Sequence, residues 1–318
     1  MLLVYAALFR LVLFIEPVEF HIPASSNYLS QLLYDVLNFF VRDRAWIYHI
    51  IAMVLVFLQA LYFNHLINYY RILQKPGYLP AMSYILISSL LVEFTLLTPA
   101  LLANTFILAA LSKILACYKK EAALALIFDS GLLVSIASLF FFPYIVFFLF
   151  IIASLIMLRP FNLREYLLAA LGLLVPYYFI GVYFFWYGKL PEFWHTIQIS
   201  HLSFPVEEMK HSPRLIIIAI APLIVILWSI YFMQANMFKM VVQVRSYIMV
   251  FILLFISGAL SMLVQFNGEL YHFVWMALPM GLPFAIFFTE VRRRFLSEML
   301  HLLLILAVLY FQYFFLLK

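Results

Sequence analysis

The chain has 318 residues, of which 68% are hydrophobic and 10% are charged, and its formal net charge is +5. Soluble domains carry about 25% charged residues, so this composition excludes a soluble globular protein and indicates an integral membrane protein. The apolar runs are continuous rather than alternating, which excludes an outer-membrane barrel and predicts an all-α helical bundle.

A helix needs roughly twenty apolar residues to cross a bilayer, and the chain contains about eleven such stretches. They fall near 1–15, 46–70, 79–96, 99–117, 124–142, 144–158, 165–187, 214–234, 246–265, 271–289 and 296–317. Tight hairpins are predicted at Thr98-Pro99 and Phe142-Pro143, because proline cannot continue a helix. The sequence contains no stretch that suggests a soluble domain and no repeat of fixed period. Residues 1–318 are therefore predicted to form a single integral membrane domain.

The first long polar excursion, residues 16–45, contains a segment with helical periodicity. Its apolar side chains recur at i, i+3, i+4, i+7, i+8 and i+11, at Leu29, Leu32, Leu33, Val36, Leu37 and Phe40. Polar residues occupy its other faces. This pattern predicts an amphipathic helix of about four turns that lies along the membrane surface.

The basic residues predict the orientation of the chain. Five loops that would share one side contain Arg71, Lys75, Lys119, Lys120, Arg159, Arg164, Lys239, Arg245, Arg292, Arg293 and Arg294. The positive-inside rule places these loops in the cytoplasm, and the excursions 16–45 and 188–213 on the outer face. We therefore predict a membrane protein whose N-terminus lies in the cytoplasm and whose C-terminus lies on the outer face. Because the basic residues are spread over short loops, the net charge does not indicate nucleic-acid binding.

Glu16 and Glu19 are the candidate catalytic residues. Carboxylates at the mouth of a bundle can act as a general base or hold a divalent cation, and a spacing of three would place both on one helical face. Pro17 makes an extended backbone equally compatible with the sequence. The alternative is that both are interfacial charges that mark the end of a span.

The second excursion contains His195 and His201, and Glu269 lies in a later outer turn. Histidines and carboxylates can bind metals, but no pair has the i, i+4 spacing of a helical zinc motif, so no metal site is predicted. With the basic and imidazole groups of the first excursion, His21, Arg42 and Arg44, these residues would suit a polar headgroup or a sugar. The alternative is a hydrated interfacial loop anchored by Trp194.

Arg10 lies inside the first apolar run, where an ionisable residue is costly and is a candidate for function. It could neutralise a phosphate that approaches from the outer leaflet. Alternatively, it could form an ion pair with Glu93 in the third predicted span. The second span carries His49, Gln59, Asn64, His65 and Asn68, a polar stripe predicted to form hydrogen bonds between helices or to line a cavity.

Two resemblances extend these inferences. Residues 128–143, 158–166 and 172–177, with Gln59-Ala60-Leu61-Tyr62-Phe63-Asn64, Tyr78-Leu79-Pro80-Ala81 and Tyr84, are similar to the DUF6427 family of polytopic membrane proteins of Bacteroidota. That resemblance implies a location in the bacterial inner (cytoplasmic) membrane, with a cytoplasmic N-terminus and a periplasmic C-terminus, and it implies no particular activity.

The layout of a first span, an acidic outer loop, a surface helix and ten further spans resembles the GT-C glycosyltransferases. The resemblance implies transfer of a sugar from a polyprenyl-phosphate carrier, with Glu16 or Glu19 as the catalytic carboxylate and Arg10 or a loop arginine on the lipid phosphate. GT-C enzymes usually have an aspartate at this place and a larger soluble region, and both features differ here.

Three functions follow from the sequence. The first is a GT-C-like glycosyltransferase at the outer face, with membrane lipids and a polyprenyl-phosphate carrier as partners and a divalent cation as its possible cofactor. The second is a non-catalytic subunit that scaffolds an assembly or export complex of the cell envelope through protein partners. The third is a lipid-carrier transporter, which would require broken helices in matching halves of the chain.

Overall fold

The computed structural model describes residues 2–10, 27–41, 44–191, 227, 230–231, 233–237, 240–264, 270–290 and 294–316. Within these ranges the regular elements are helices, which confirms the all-α prediction for this part of the chain. The α-helices are α1 (Leu2–Leu8), α2 (Tyr28–Val41), α3 (Ala45–Tyr69), α4 (Leu79–Ile87), α5 (Pro99–Ala116), α6 (Leu124–Phe140), α7 (Phe147–Leu158), α8 (Leu163–Trp186), α9 (Val242–Ser261), α10 (Ala277–Glu290) and α11 (Arg294–Leu316). Short 3₁₀ helices form turn 1 (Val92–Phe94), turn 2 (Phe142–Val146) and turn 3 (Leu270–Met276).

Five helical stretches in the described ranges are long and apolar enough to cross a membrane. They cover Trp46–Tyr69, Pro99–Ala116, Leu163–Trp186, Val242–Ser261 and Leu270–Thr289, where the sequence predicts spans. Shorter apolar helices cover Leu124–Phe140, Phe142–Leu158 and Glu298–Tyr310. The total of about eleven spans stays a prediction.

The span predicted near 79–96 differs from the structure. Helix α4 ends at Ile87, and the chain continues through Ser88–Thr98 with one 3₁₀ turn instead of an α-helix. The Ser88 hydroxyl donates to the Ile85 carbonyl at 3.1 Å, so a serine side chain forms a hydrogen bond with a carbonyl at the helix end. The apolar composition of residues 79–96 predicted that they lie within the bundle, but it could not show at which residue the helix ends.

Helix α6 packs closely against α5 and α8. Glycines on facing helices make the α6–α8 contact possible. A Cβ atom on Gly131 would overlap the carbonyl oxygen of Ala169, and one on Gly172 would overlap that of Phe128. Small residues let apolar helices approach until their backbones touch, which maximises dispersion contacts where lipid supplies no hydrophobic drive.

The helix predicted in the first excursion is present as α2, but its apolar residues do not form a single buried stripe. Leu29, Leu33 and Leu37 pack against the core. Around the helix from them, the side chains of Leu32, Val36, Phe39 and Phe40 are exposed. The helix therefore has a protein-facing side, an exposed apolar side and a polar strip that includes Asp35.

The helices run between two ends of the bundle that differ in their chemistry. One end contains the connections at 70–78, 117–123 and 159–162, and we call it the clasp end. There the fork of Arg159 binds Glu165, with Nε to Oε2 at 2.8 Å and Nη2 to Oε1 at 2.7 Å. Arg159 Nη1 also donates to the carbonyls of Cys117 and Lys120, so one side chain ties two connections together.

The other end contains 88–98, 141–146 and 270–276, and we call these three segments the turn junction. Turn 1 contacts turn 3. The ring of Phe141, just before turn 2, lies 4.9 Å from that of His272 in turn 3. The prolines of the hairpins predicted at 98–99 and 142–143 lie in the first turn of new helical elements, as expected of a helix break, and Thr98 and Phe142 are buried, with 3% and 7% exposed.

Candidate functional site at the turn junction

Two of the predicted site residues lie in the described part of the chain. Arg10 is 1% exposed and follows α1, and Arg44 is exposed just before α3. The structure therefore places Arg10 inside the bundle and Arg44 at its surface. The remaining predicted residues lie outside the described residues; they are Glu16, Glu19, His21, Arg42, His195, His201 and Glu269.

Arg10 reaches the turn junction. Its Nη1 donates to the Thr95 carbonyl at 2.9 Å, two residues after Glu93 in the sequence. Its Nη2 is buried without a hydrogen-bond partner among the described residues. Since a carbonyl carries no formal charge, this contact orients the guanidinium but does not neutralise it.

Two other side chains bind the same irregular segment. Tyr34 of α2 donates to the Leu97 carbonyl at 2.9 Å, and Gln312 of α11 donates to the Ser89 carbonyl at 2.8 Å. Inside a bundle, backbone N–H and C=O groups that do not form helical hydrogen bonds need such partners, because apolar surroundings supply none. Helices α2 and α11 and the turn that follows α1 thus each contribute one side chain that holds residues 88–98 in place.

A hydrogen-bonded network leads from the turn junction into the helices. Tyr84, fully buried on α4, donates to Gln59 Oε1 at 2.8 Å. Gln59 Nε2 in turn donates to the Leu101 carbonyl at 3.0 Å and to Thr105 Oγ1 at 2.7 Å. This confirms that Gln59 bonds between helices, as the polar stripe predicted.

Asn68 and His65, two other residues of the predicted polar stripe, lie in different surroundings. Asn68 exchanges hydrogen bonds with the backbone of Gly77 in the α3–α4 connection. His65 is exposed. These residues therefore do not line one common face, because the helix contacts different neighbours along its length.

Three polar side chains with unpaired atoms are attached to the turn junction. Arg10 Nη1 donates to the Thr95 carbonyl, Tyr144 lies in turn 2, and Asn104 Nδ2 donates to the Val274 carbonyl of turn 3 at 3.2 Å. Arg10 Nη2, Tyr144 OH and Asn104 Oδ1 are each buried without a hydrogen-bond partner in the described structure. Buried polar atoms are nearly always paired, so three unpaired atoms attached to one junction mark this region as a candidate site.

Sequence reasoning missed Tyr84, Asn104 and Tyr144 as site residues. Asn104 carried a usable signal, since an amide in the middle of an apolar span is costly. Tyr144 did not, because it is one of 21 tyrosines and most of these suit a membrane interface.

We also searched the described residues for clusters of side chains that could bind a metal ion. Among the described residues no group of three or more His, Cys, Asp or Glu side chains could hold a metal ion. A divalent cation at Glu16 and Glu19 remains a prediction, since both lie outside the described residues.

The described helices have the length and composition of a multi-pass membrane protein, in which a buried cation and unpaired polar groups share one end of the bundle. No family model, curated protein or solved structure matches the chain.

Proposed function

We propose that the protein is a GT-C-like glycosyltransferase that uses a polyprenyl-phosphate-linked sugar at the outer face of the bacterial inner membrane. Arg10 binds the lipid phosphate, and Glu16 or Glu19 acts as the catalytic base or as a ligand of a divalent cation. His21, Arg42, Arg44, His195, His201 and Glu269 bind the substrate from the two outer excursions.

The observation that carries the proposal is the state of Arg10. A buried guanidinium is costly unless it is paired and hydrogen-bonded. Arg10 is 1% exposed, and among the described residues it makes one hydrogen bond, to a neutral carbonyl, while its Nη2 has no partner. A phosphate oxygen would supply both the missing acceptor and the missing negative charge.

The distribution of charge supports the orientation. The clasp end carries the basic residues of three connections, namely Arg71, Lys75, Lys119, Lys120, Arg159 and Arg164. The positive-inside rule places such connections in the cytoplasm, which puts the turn junction towards the periplasm. The periplasmic C-terminus and membership in the DUF6427 family belong to the same proposal.

Helix α2 supports access from lipid. Its exposed apolar side chains include Phe39 and Phe40, with 79% and 76% of their surface exposed, which is costly in water and favourable among acyl chains. Its Tyr34 donates to the Leu97 carbonyl at 2.9 Å, so the lipid-facing helix is joined directly to the turn junction. We therefore place α2 along the membrane surface beside the entry to the site.

Binding of the carrier tests the role of Arg10. Undecaprenyl phosphate and undecaprenol, which lacks the phosphate, are titrated against the protein in nanodiscs. The wild type is expected to prefer the phosphate by about tenfold or more, and Arg10→Gln to lose that preference, since a charged hydrogen bond contributes about 1.5–3 kcal/mol.

Lys75→Gln is the matched control, because it removes an exposed cation at the clasp end. It should retain the preference for the phosphate. Equal affinity of the wild type for both lipids would contradict the proposal.

The catalytic step is tested separately. Glu16→Gln and Glu19→Gln are assayed for loss of envelope glycan at normal protein levels. Unchanged glycan in both variants would remove the enzyme assignment.

The second candidate is a non-catalytic subunit of an envelope complex. It is favoured by the Gln59 network, in which both the amide nitrogen and the amide oxygen are paired, as in a fixed structural element. This candidate predicts that the carrier does not discriminate between wild type and Arg10→Gln, while co-purification with protein partners persists in both glutamate variants.

A further inference from the structure

Several neutral polar groups at the turn junction are buried without a hydrogen-bond partner among the described residues, and we consider two of them. Tyr144 and Asn104 are both 0% exposed, and neither Tyr144 OH nor Asn104 Oδ1 has a hydrogen-bond partner within the described residues. A buried polar group without a partner lowers stability, whereas an apolar group of the same shape would not. Sites that keep such groups at a cost are typically functional.

The two groups belong to one place in the fold. Ring contacts connect Tyr144 to turn 3, because Phe141 lies 5.4 Å from Tyr144 and 4.9 Å from His272. Each is also attached to the turn junction: Tyr144 lies in turn 2, and Asn104 Nδ2 donates to the Val274 carbonyl of turn 3 at 3.2 Å. A guest that bonded both would sit where the turns meet, near the guanidinium that holds turn 1.

The chemistry of the unpaired atoms defines the guest. Because Asn104 Nδ2 is engaged with a carbonyl, the amide orientation is fixed and the free atom is the oxygen, an acceptor. An acceptor requires a donor, which excludes an anion as its partner. The Tyr144 hydroxyl can donate or accept. A hydroxyl group satisfies both, since it donates to the amide oxygen and accepts from the phenol.

We propose that the turn junction binds an uncharged, hydroxyl-bearing group through Tyr144 and Asn104. This inference rests on the proposed function, in which the hydroxyls are those of the neutral sugar on the lipid carrier. Arg10 then holds the phosphate and the Tyr144–Asn104 pair holds the sugar. The surrounding 3₁₀ turns have weaker hydrogen bonds than α-helices, so this is the part of the core that can yield to a guest.

Stability in the absence of a ligand is the first test. Tyr144→Phe removes an unpaired hydroxyl and is expected to raise the Tm of the purified protein by about 2 °C or more. Tyr34→Phe is the matched control, because Tyr34 is equally buried and donates to the Leu97 carbonyl. It should lower the Tm. If Tyr144→Phe lowers the Tm as well, its hydroxyl is paired by internal water and the proposal fails.

Binding is the second test. Affinities in nanodiscs are compared for undecaprenol, undecaprenyl phosphate, and undecaprenyl phosphate carrying glucose, galactose, mannose or N-acetylglucosamine. The increase in affinity from undecaprenol to undecaprenyl phosphate, the phosphate gain, reports on Arg10. The further increase when the phosphate carries a sugar, the sugar gain, reports on the Tyr144–Asn104 pair. Tyr144→Phe and Asn104→Leu are expected to lose about fivefold or more of the sugar gain and to keep the phosphate gain.

The two gains separate the outcomes. If the wild type shows a phosphate gain but none of the four sugars binds more tightly, or if both variants keep the sugar gain, the inference is overturned while the proposed function stands. If the wild type shows no phosphate gain, the proposed function fails. Should Asn104→Leu fail to fold because the Val274 carbonyl loses its donor, Tyr144→Phe alone decides.

Discussion

The clasp end and the turn junction, at opposite ends of the bundle, differ in the partners of their buried arginines. At the clasp end, both nitrogens of the Arg159 fork bind Glu165, and the side chains are only 11% and 7% exposed. At the turn junction, Arg10 is bonded by one nitrogen to a neutral carbonyl. Among the described residues, the Arg159 guanidinium therefore has a carboxylate partner, whereas the Arg10 guanidinium has a neutral one.

Electrostatics gives the reason why the clasp is purely structural. The carboxylate of Glu165 raises the pKa of Arg159 by hydrogen bonding to its charged form, so the guanidinium gains more from its partner than it loses by desolvation. A saturated pair of this kind has no capacity for a ligand. Among the described residues, the two ends therefore differ in whether their buried polar groups are satisfied, more than in whether such groups are present.

The largest effect is expected from breaking the clasp. Glu165→Gln leaves the Arg159 charge buried without its counterion and should lower the free energy of unfolding by about 3–5 kcal/mol. Arg164→Gln, at an exposed arginine next in the chain, is the control and should change it by less than about 0.5 kcal/mol. Denaturation in detergent measures both, and equal effects would show that the clasp is not the anchor of this end.

A large effect is also expected midway between the ends. Gly172→Ala places a methyl group against the Phe128 carbonyl oxygen and should destabilise the protein by about 3 kcal/mol, because backbone cannot move aside as a side chain can. Gly181→Ala on the same helix meets nothing within 4 Å. It should be neutral or slightly stabilising, since alanine is the better helix former. Similar losses for both variants would contradict the close α6–α8 packing.

The single cysteine reports on closure of the clasp end. Cys117 is buried and donates to the Lys113 carbonyl at 3.2 Å, and burial raises the pKa of its thiol to about 11. The raised pKa keeps the thiol protonated, so at pH 8 only about 0.1% is thiolate, compared with about 24% for a free cysteine.

N-ethylmaleimide should therefore label native Cys117 at least about a hundredfold more slowly than an exposed thiol at pH 8. The control is Ala122→Cys in a Cys117→Ser background, at an exposed position of the same connection. Comparable labelling rates would mean that the clasp end opens readily.

The smallest effect is expected from the exposed ion pair. Lys113 and Asp129 lie 2.8 Å apart, but their side chains are 36% and 42% exposed. Asp129→Asn should change the free energy of unfolding by no more than about 0.5 kcal/mol, because solvent and salt screen such a pair. A loss as large as that of Glu165→Gln would show that exposure does not distinguish the two pairs.

Several elements could be predicted from the sequence alone. The long apolar helices lie where hydropathy placed them, and the prolines at 99 and 143 do begin new helical elements. Both signals are local, since they depend on neighbouring residues in the chain. The depth of Arg10 followed from its position inside an apolar run.

The end of α4 and the roles of α2 could not be predicted in this way. Residues 88–98 lie within a stretch that the sequence predicts as a span, and their course depends on donors from Arg10, Tyr34 and Gln312, which are 85, 63 and 223 residues away from their acceptors. In α2, which leucines touch protein and which remain exposed depends on where the bundle lies, and periodicity cannot give that.

Composition and periodicity act over one or a few helical turns, and they were enough to predict apolar helices of membrane-spanning length and a costly cation in the first apolar run. The attachment of Asn104 and Tyr144 to the turn junction, and the lack of partners for some of their polar atoms among the described residues, became visible only in the folded chain. Whether a buried group finds a partner depends on the packing of helices distant in the chain, and no local pattern records it.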